Sequence, residues 1–266
     1  MNNNIFIFTN NSRTSKNTEK VLKQKLVESG FNVMPSYTDD ADLLVCIGGD
    51  GTFLEAIHKF GFPQMPIIGI NTGHLGFFQE IMPSQMDDFI VNYSKGQYTM
   101  QSLSTVKVVV RSEGKSYEHI GLNEILIRGT SGYNIHMDMS IGGSFIERFS
   151  GDGLLVATPA GSTAYNYSLG GSIVDPRLNL LQVTPIAPMN TTAYRAFTSS
   201  ILLPAELSLG LIPDMEKGTS ISVVRDGYIT EYDNIEAMEV GFSDIKVNMM
   251  RFEGYDFWTK VKSKFL

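Results

Sequence analysis

An uninterrupted apolar run, Leu43-Leu44-Val45-Cys46-Ile47, ends in Gly48-Gly49-Asp50-Gly51-Thr52 and passes near Phe53 into a segment of helical character. A short apolar run bounded by turn residues reads as a buried strand. Glycines at 48, 49 and 51 permit positive φ and let a ligand approach the main chain closely. Backbone N–H groups of such a turn, followed by a helix start, form a ready anion site. Asp50 in its middle would repel a phosphate unless a metal ion or a substrate hydroxyl lay between them. The combination therefore points to phosphoryl transfer rather than plain nucleotide binding. The plainer alternative is a strand-to-helix turn with Asp50 as N-cap.

The neighbouring sequence repeats the alternation of strand and helix. Ile5-Phe6-Ile7-Phe8 reads as a strand, and Lys16 to Ser29 as an amphipathic helix closed by Gly30. Phe31 to Met34 and Pro66 to Ile70 read as further strands, with a helix from Phe53 to Phe60 between them and another from Pro83 to Tyr93. This order predicts a parallel sheet with helices on its faces, and ligands at the carboxyl ends of its strands. A second glycine-rich turn, Asn71-Thr72-Gly73-His74-Leu75-Gly76-Phe77, follows the Pro66 strand. His74 there either touches a ligand or hydrogen-bonds within the loop.

Near Met100 the pattern changes. Val106 to Val110, the turn Ser112-Glu113-Gly114-Lys115, and Tyr117 onward read as a hairpin. Glu124–Ile127, Ile135–Ile141, Ser144–Phe149, Leu154–Ala157 and Ile221–Val224 read as strands with few helical signals between them. The expectation is a mainly-β second domain with antiparallel connections in two layers. The predicted domains are 1–99 (α/β) and 100–252 (β sandwich), followed by a tail, 253–266. That tail spaces Phe257, Trp258, Val261 and Phe265 as a helical packing face with lysines interleaved.

Composition narrows the partners. A net charge of -7 argues against a general nucleic-acid or anionic-membrane surface, although a local nest or a metal can still hold a small anion. The single cysteine, Cys46, excludes an intrachain disulfide framework and reads as an apolar filler of its strand. Met1 to Phe8 has no basic leader, and no stretch reaches the length of about 18 apolar residues that a membrane span requires. The expectation is a soluble cytoplasmic protein.

Two further stretches carry chemistry. In Gly151-Asp152-Gly153-Leu154-Leu155-Val156-Ala157-Thr158-Pro159-Ala160-Gly161-Ser162-Thr163-Ala164-Tyr165, an acid between glycines precedes a strand, and hydroxyls mark what looks like a capped helix start. Hydroxyls and N–H groups at a helix start suit phosphate or ribose. Tyr165 offers a flat face for a base or nicotinamide ring. An ordinary strand-to-helix connection is the alternative. Asn123-Glu124 could grip two ribose hydroxyls, since the amide donates and accepts and the carboxylate accepts twice; a solvated strand end is the alternative.

Taken together, Gly48–Thr52, Asn71–Phe77, Asn123-Glu124 and Gly151–Tyr165, in this order and spacing, resemble the bacterial NAD kinases over nearly the whole chain, including Asp256-Phe257-Trp258. The first motif is shared with diacylglycerol and sphingoid-type lipid kinases and with phosphofructokinases; the Gly151–Tyr165 stretch is the specific one. The resemblance implies the NAD kinase/diacylglycerol kinase-like fold, with NAD between an N-terminal α/β domain and a C-terminal β sandwich and the tail packed back on the first. It implies transfer of the γ-phosphoryl group of ATP, or of a polyphosphate phosphate, to the 2′-hydroxyl of the adenosine ribose. Asp50 would be the general base or the group aligning that hydroxyl, and a divalent ion such as Mg²⁺ would offset donor charge. No protein ligand set for that metal is assigned.

Carried over by residue, Gly51 would lie with Asp50 against the dinucleotide, and Asn123 and Glu124 would hold ribose hydroxyls. Asp152 would read an amide or amino group. Thr163, Ala164, Tyr165, Asn166, Tyr167 and Ser168 would line the base and nicotinamide pockets, and Ala187 would offer a backbone contact. Dimers or tetramers are usual in the family, so a homo-oligomer is implied. The chain departs from the pattern at Ser150, where many relatives carry Arg (Arg148 is close by), and at Asn134, where some carry His. Arg225-Asp226-Gly227-Tyr228 aligns only loosely with a late family contact and carries no assignment. The rival functions are a kinase of another small hydroxyl substrate, such as a lipid, and a dinucleotide-binding regulator without catalysis.

Overall fold

A computed structural model describes residues 3–73, 76–190, 195–215 and 220–265, so His74 and Leu75 lie outside the described residues. The chain forms two compact units, Met1–Leu103 with Lys246–Leu266, and Ser104–Ile245.

The first unit begins β1 (Asn4–Thr9), α1 (Arg13–Glu28), β2 (Asn32–Val33), β3 (Leu43–Gly48), α2 (Asp50–Lys59), β4 (Ile67–Asn71), β5 (Gln79–Ile81) and α3 (Met86–Ser94). The strands β2-β1-β3-β4 lie side by side and all pair in parallel, with Ile5 opposite Leu43 and Leu44 opposite Ile67. β3 is flanked on both edges and every residue of it is buried, which is why its sequence is apolar without alternation. Cys46 is fully buried there, and burial pushes its thiol well above the ordinary range. The Ser12 hydroxyl caps α1 by accepting from the Ser15 N–H at 3.1 Å, and Gly30 ends it with a φ of +85°. Ile5, Leu22, Leu26, Leu43, Ile47, Ile68 and Phe89 share one core. Helix α2 begins at Asp50 rather than near Phe53, with Gly49 as its extended N-cap.

β6 (Thr99–Ser112) leads into the second unit, which continues with β7 (Lys115–Gly121), β8 (Glu124–Gly129), β9 (Ile135–Ile141), β10 (Ser144–Gly151) and β11 (Gly153–Ala157). There follow α4 (Tyr165–Ser168), β12 (Leu180–Ile186), β13 (Ile201–Pro204), β14 (Leu209–Pro213), β15 (Ile221–Arg225), β16 (Tyr228–Tyr232) and β17 (Ile235–Arg251). Glu113 and Gly114 close the β6–β7 hairpin with φ of 53° and 69°, the two-residue turn that matches strand twist. One layer runs β13-β12-β11-β8-β15-β16, antiparallel throughout. The other contains β10-β9-β14-β17. Ile125, Ile127, Leu154 and Val156 of the first layer share a core with Met137, Met139, Leu209 and Val240 of the second, the packing of a sandwich.

The last residues of β17 return to the first unit, where Met249 pairs in parallel with Ile67, and α5 (Phe257–Phe265) follows. Phe257 and Val261 of α5 are buried, but Trp258 is 48% exposed, so the expected packing face does not include the tryptophan. Trp258 follows Phe257 directly, and adjacent helical positions point about 100° apart. Arg251 forms a buried ion pair with Glu80 at 2.8 Å and donates from Nε to Gln101 at 2.8 Å. Removing one partner of such a pair typically costs about 3–5 kcal/mol.

Candidate active site

In the first unit the site is built on the turn from β3 into α2. None of Gly48, Gly49 and Gly51 takes a positive φ, contrary to the sequence expectation. Gly48 is required for space instead, because a Cβ there would lie 2.2 Å from Oγ1 of Thr52. Around Gly49 and Gly51 no described atom apart from the adjoining residues and the helix's own backbone comes within 4 Å of where a Cβ would stand, so a ligand can reach this main chain. Thr52 is held by an N–H from Asn10 at 3.0 Å.

Asp50 is not the N-cap of α2. It sits in the first turn, where a negative charge suits the helix dipole, and its carboxylate reaches across to the loop before β5. Oδ2 accepts from the Phe77 N–H at 2.9 Å and Oδ1 from the Phe78 N–H at 3.0 Å. The approach is so close that a Cβ on Gly76 would lie 2.2 Å from Oδ1. Lys264 of α5 places Nζ 3.7 Å from Oδ2 and 4.7 Å from the centre of the Phe77 ring. The Asp50 side chain keeps 25% of its surface exposed. The glycine-rich loop thus serves Asp50 through its backbone. His74, expected to touch a ligand or the loop, is outside the described residues.

In the second unit Asn123 directly precedes β8 and Glu124 opens it. The Asn123 carbonyl accepts from the Thr158 N–H at 2.9 Å, and the Thr158 hydroxyl donates to the Leu122 carbonyl at 2.7 Å. A Cβ on Gly161 would fall 2.0 Å from the Asn123 carbonyl oxygen, so only glycine lets these two motifs meet. Asn123, Glu124, Gly161, Thr163 and Ala164 thereby come together at the end of β11, where Glu124 stands opposite Ala157. Oδ1 of Asn123 and Oε2 of Glu124 are buried, with no hydrogen-bond partner among the described residues. Each such orphan costs about 1–3 kcal/mol until something satisfies it. Burial, and then the neighbouring Asp226 charge, push the Glu124 carboxyl up to about 8. With its proton on, Glu124 offers a ribose one donor and one acceptor rather than two acceptors.

Asp226 is the residue that sequence reasoning missed. At the turn between β15 and β16, with a φ of 45°, it accepts from the N–H groups of Leu122, Asn123 and Glu124 at 2.6, 2.7 and 3.2 Å. The signal was present in Asp226-Gly227, a turn pair between apolar runs, but its partners are backbone groups and leave no mark in the sequence.

The expected helix start at Ser162 is a 3-10 turn, Ala160–Thr163, followed by the single turn α4. The Ser162 hydroxyl faces inward, accepting from the Val174 N–H at 2.9 Å. Asn166 is fully buried, accepting from the Thr184 hydroxyl at 2.7 Å and donating to the Ser162 carbonyl at 3.4 Å. Tyr165, Tyr167 and Ser168 are exposed, Tyr165 at 44%. Asp152 and Ala187 lie at the opposite end of β11 from Asn123, about 17 Å away along a five-residue strand. There the Asp152 N–H donates to the Ile186 carbonyl at 3.0 Å, and Asp152 and Ala187 are both exposed. A cavity of about 430 Å³ lined by Gly129, Tyr133, Asn134, His136 and Asp214 adjoins this end, since the Gly129 N–H bonds the Asp152 carbonyl. Ser150 is buried, and Arg148 pairs with Asp214 at 2.6 Å.

Both parts of the chain match known proteins. Residues 5–98 match the family described as the ATP-NAD kinase N-terminal domain, and residues 122–251 the ATP-NAD kinase C-terminal domain. The chain is 38% identical to a protein named NAD kinase from Finegoldia magna, over the full length of both. It is 32% identical to NAD kinase 1 of Oceanobacillus iheyensis, over 99% of this chain and 98% of that one. Among solved structures, yeast NADH kinase complexed with NADH superposes with a TM-score of 0.85 at 20% identity, covering 97% of this chain and 86% of that one. An NAD kinase from Archaeoglobus fulgidus in complex with ATP gives 0.76 at 25% identity, covering 98% and 99%.

Proposed function

Given that the chain belongs to the ATP-NAD kinase family, we propose that it transfers the γ-phosphoryl group of ATP to the 2′-hydroxyl of the adenosine ribose of NAD, giving NADP and ADP. The observation that carries this reading is the Asp50 carboxylate, fixed at the start of α2 by two backbone donors and still open to a ligand. A carboxylate has about four lone-pair sites, so two N–H bonds and a lysine leave room for one hydroxyl. Asp50 takes up the proton of that hydroxyl, or holds it in line, as its oxygen bonds to phosphorus and the bond to the ADP oxygen breaks. Positioning and charge supply most of the acceleration in such transfers.

Gly51 lets the dinucleotide approach the main chain beside Asp50. The orphaned Oδ1 of Asn123 and Oε2 of Glu124 take ribose hydroxyls, which would satisfy both. Tyr165 stacks on a ring, with Thr163, Ala164, Tyr167 and Ser168 shaping the pocket around it, while the buried Asn166 braces that segment from within. Asp152 reads an amide or amino group, and Ala187, with its φ of 44°, offers its backbone. Among the described residues no cluster of three metal-ligating side chains exists. Mg²⁺ is commonly held by one or two carboxylates plus substrate phosphates, so it would enter with the donor and offset phosphate charge. Polyphosphate is included as an alternative donor.

We place the enzyme in the cytoplasm and expect a homo-oligomer of two or four chains. The exposed apolar side chains Phe145, Ile146 and Ile212 on β10 and β14 support the second expectation, which light scattering would check. The function is tested by mixing the protein with NAD, ATP and Mg²⁺ and reading NADP through an NADP-specific dehydrogenase. Asp50→Asn should lower turnover at least ~100-fold while calorimetry still detects NAD binding. Near-normal turnover in Asp50→Asn would remove the role given to the carboxylate. Polyphosphate in place of ATP measures the donor range.

A further inference from the structure

Resting on the kinase reading, we propose that Lys260 on α5 is a positioning residue for phosphoryl transfer, acting through the Phe77–Gln79 segment that holds Asp50. Its Nζ donates to the Phe77 carbonyl at 3.3 Å and to the Gln79 carbonyl. The N–H groups of Phe77 and Phe78 are the donors that fix the Asp50 carboxylate. One ammonium group thus grips the acceptor side of a short loop whose donor side grips Asp50. The contact joins residues 181 and 183 positions apart in sequence. The ring stack Phe53–Phe78 and the ring contact Phe77–Phe257 hold the same loop from both sides.

Several charges face Lys260. Glu80 comes from β5, Arg251 from β17 and Asp50 from α2, while the Tyr255 ring lies 5.1 Å away. Asp88 of α3, together with Glu253 and Asp256, lines the same cleft of about 440 Å³, and Lys264 stands one turn further along α5. Burial, followed by the Arg251 charge, lowers the Lys260 ammonium to about 8 against the pull of Glu80 and Asp50. Below that pH it is charged and a strong donor to the two carbonyls. Above it the grip weakens, so turnover should fall on the alkaline side.

The test uses Lys260→Met and Lys260→Arg in the full chain beside Asp50→Asn. Turnover and KM for NAD are measured from about pH 6.5 to about pH 9.5, with hydrogen exchange of the Phe77 and Phe78 amides. Lys260→Met should lower kcat about 10- to 100-fold with KM for NAD within about twofold, and both amides should exchange faster. Lys260→Arg should restore most of kcat and carry the alkaline fall to higher pH, because a guanidinium keeps its charge. A folded Lys260→Met with wild-type kcat or unchanged amide exchange would overturn the proposal. If Lys260→Met does not fold, an alkaline limb left unmoved in Lys260→Arg overturns it as well. A wild-type protein that makes no NADP sinks the kinase reading and this role with it. NADP formation that needs Asp50 but proceeds at full speed in Lys260→Met sinks this role alone.

Discussion

The two units hold their key carboxylates in opposite states. Asp50 is satisfied, with two backbone N–H donors on its oxygens and a lysine beside it. Glu124 and Asn123 keep buried oxygens without partners among the described residues, and it is their backbone that is satisfied, by Asp226. A group that must meet a reacting atom in one orientation is best fixed before substrate arrives. A group that must recognise a ligand gains most if only the ligand can complete it. The first arrangement costs the fold little. The second lowers stability until the ligand binds.

The largest expected effect comes from disturbing the satisfied carboxylate without touching it. Gly76→Ala would set a Cβ 2.2 Å from Oδ1 of Asp50 and should lower kcat about 100-fold. A Gly76→Ala enzyme with normal kcat would show that the hold on Asp50 is dispensable. Next, Asp226→Asn replaces one of the two acceptor oxygens with an NH2 group, leaving at least one of the three N–H groups without its acceptor. It should lower stability by about 1–3 kcal/mol, read by urea unfolding, and raise KM for NAD more than it lowers kcat. A variant losing kcat alone would assign Asp226 to chemistry instead of support.

Tyr165→Ala should raise KM for NAD about tenfold, in the range of a lost base stack, with kcat near wild type. A lower kcat at unchanged KM would contradict stacking. The smallest effect is on stability against pH. Glu124 is raised in the folded state, so the fold holds a proton there between about 4.5 and about 8 that the unfolded chain has lost. Its contribution to stability is therefore complete below that window and declines as pH rises through it. Glu124→Gln should flatten this decline, and thermal unfolding at a series of pH values checks it.

Much of this was legible because local physics wrote it into single segments. The β3 run, buried on both faces, could not be other than apolar, and the β6–β7 hairpin declares itself in Glu113-Gly114. β5 escaped because it is three residues with a glutamine at its start, and β17 because its seventeen residues mix polar and apolar positions without one clear period. Helix α2 started early because glycine, not aspartate, took the cap. The partners of Asp50 and Asp226 were illegible for a common reason. Both carboxylates bind backbone N–H groups, and any sequence supplies those.

The lone thiol offers a last consequence. Cys46 lies in the middle of β3, two residues before the strand ends and four before Asp50, sealed from solvent and held in its unreactive protonated form. An alkylating reagent can meet a thiolate there only when the strand opens. The modification rate of the native protein is therefore a built-in clock for opening of the sheet beneath the Gly48–Thr52 turn, and it needs no introduced label. Slowing of that clock by NAD, by ATP, or by both together would report how strongly each substrate clamps this strand shut.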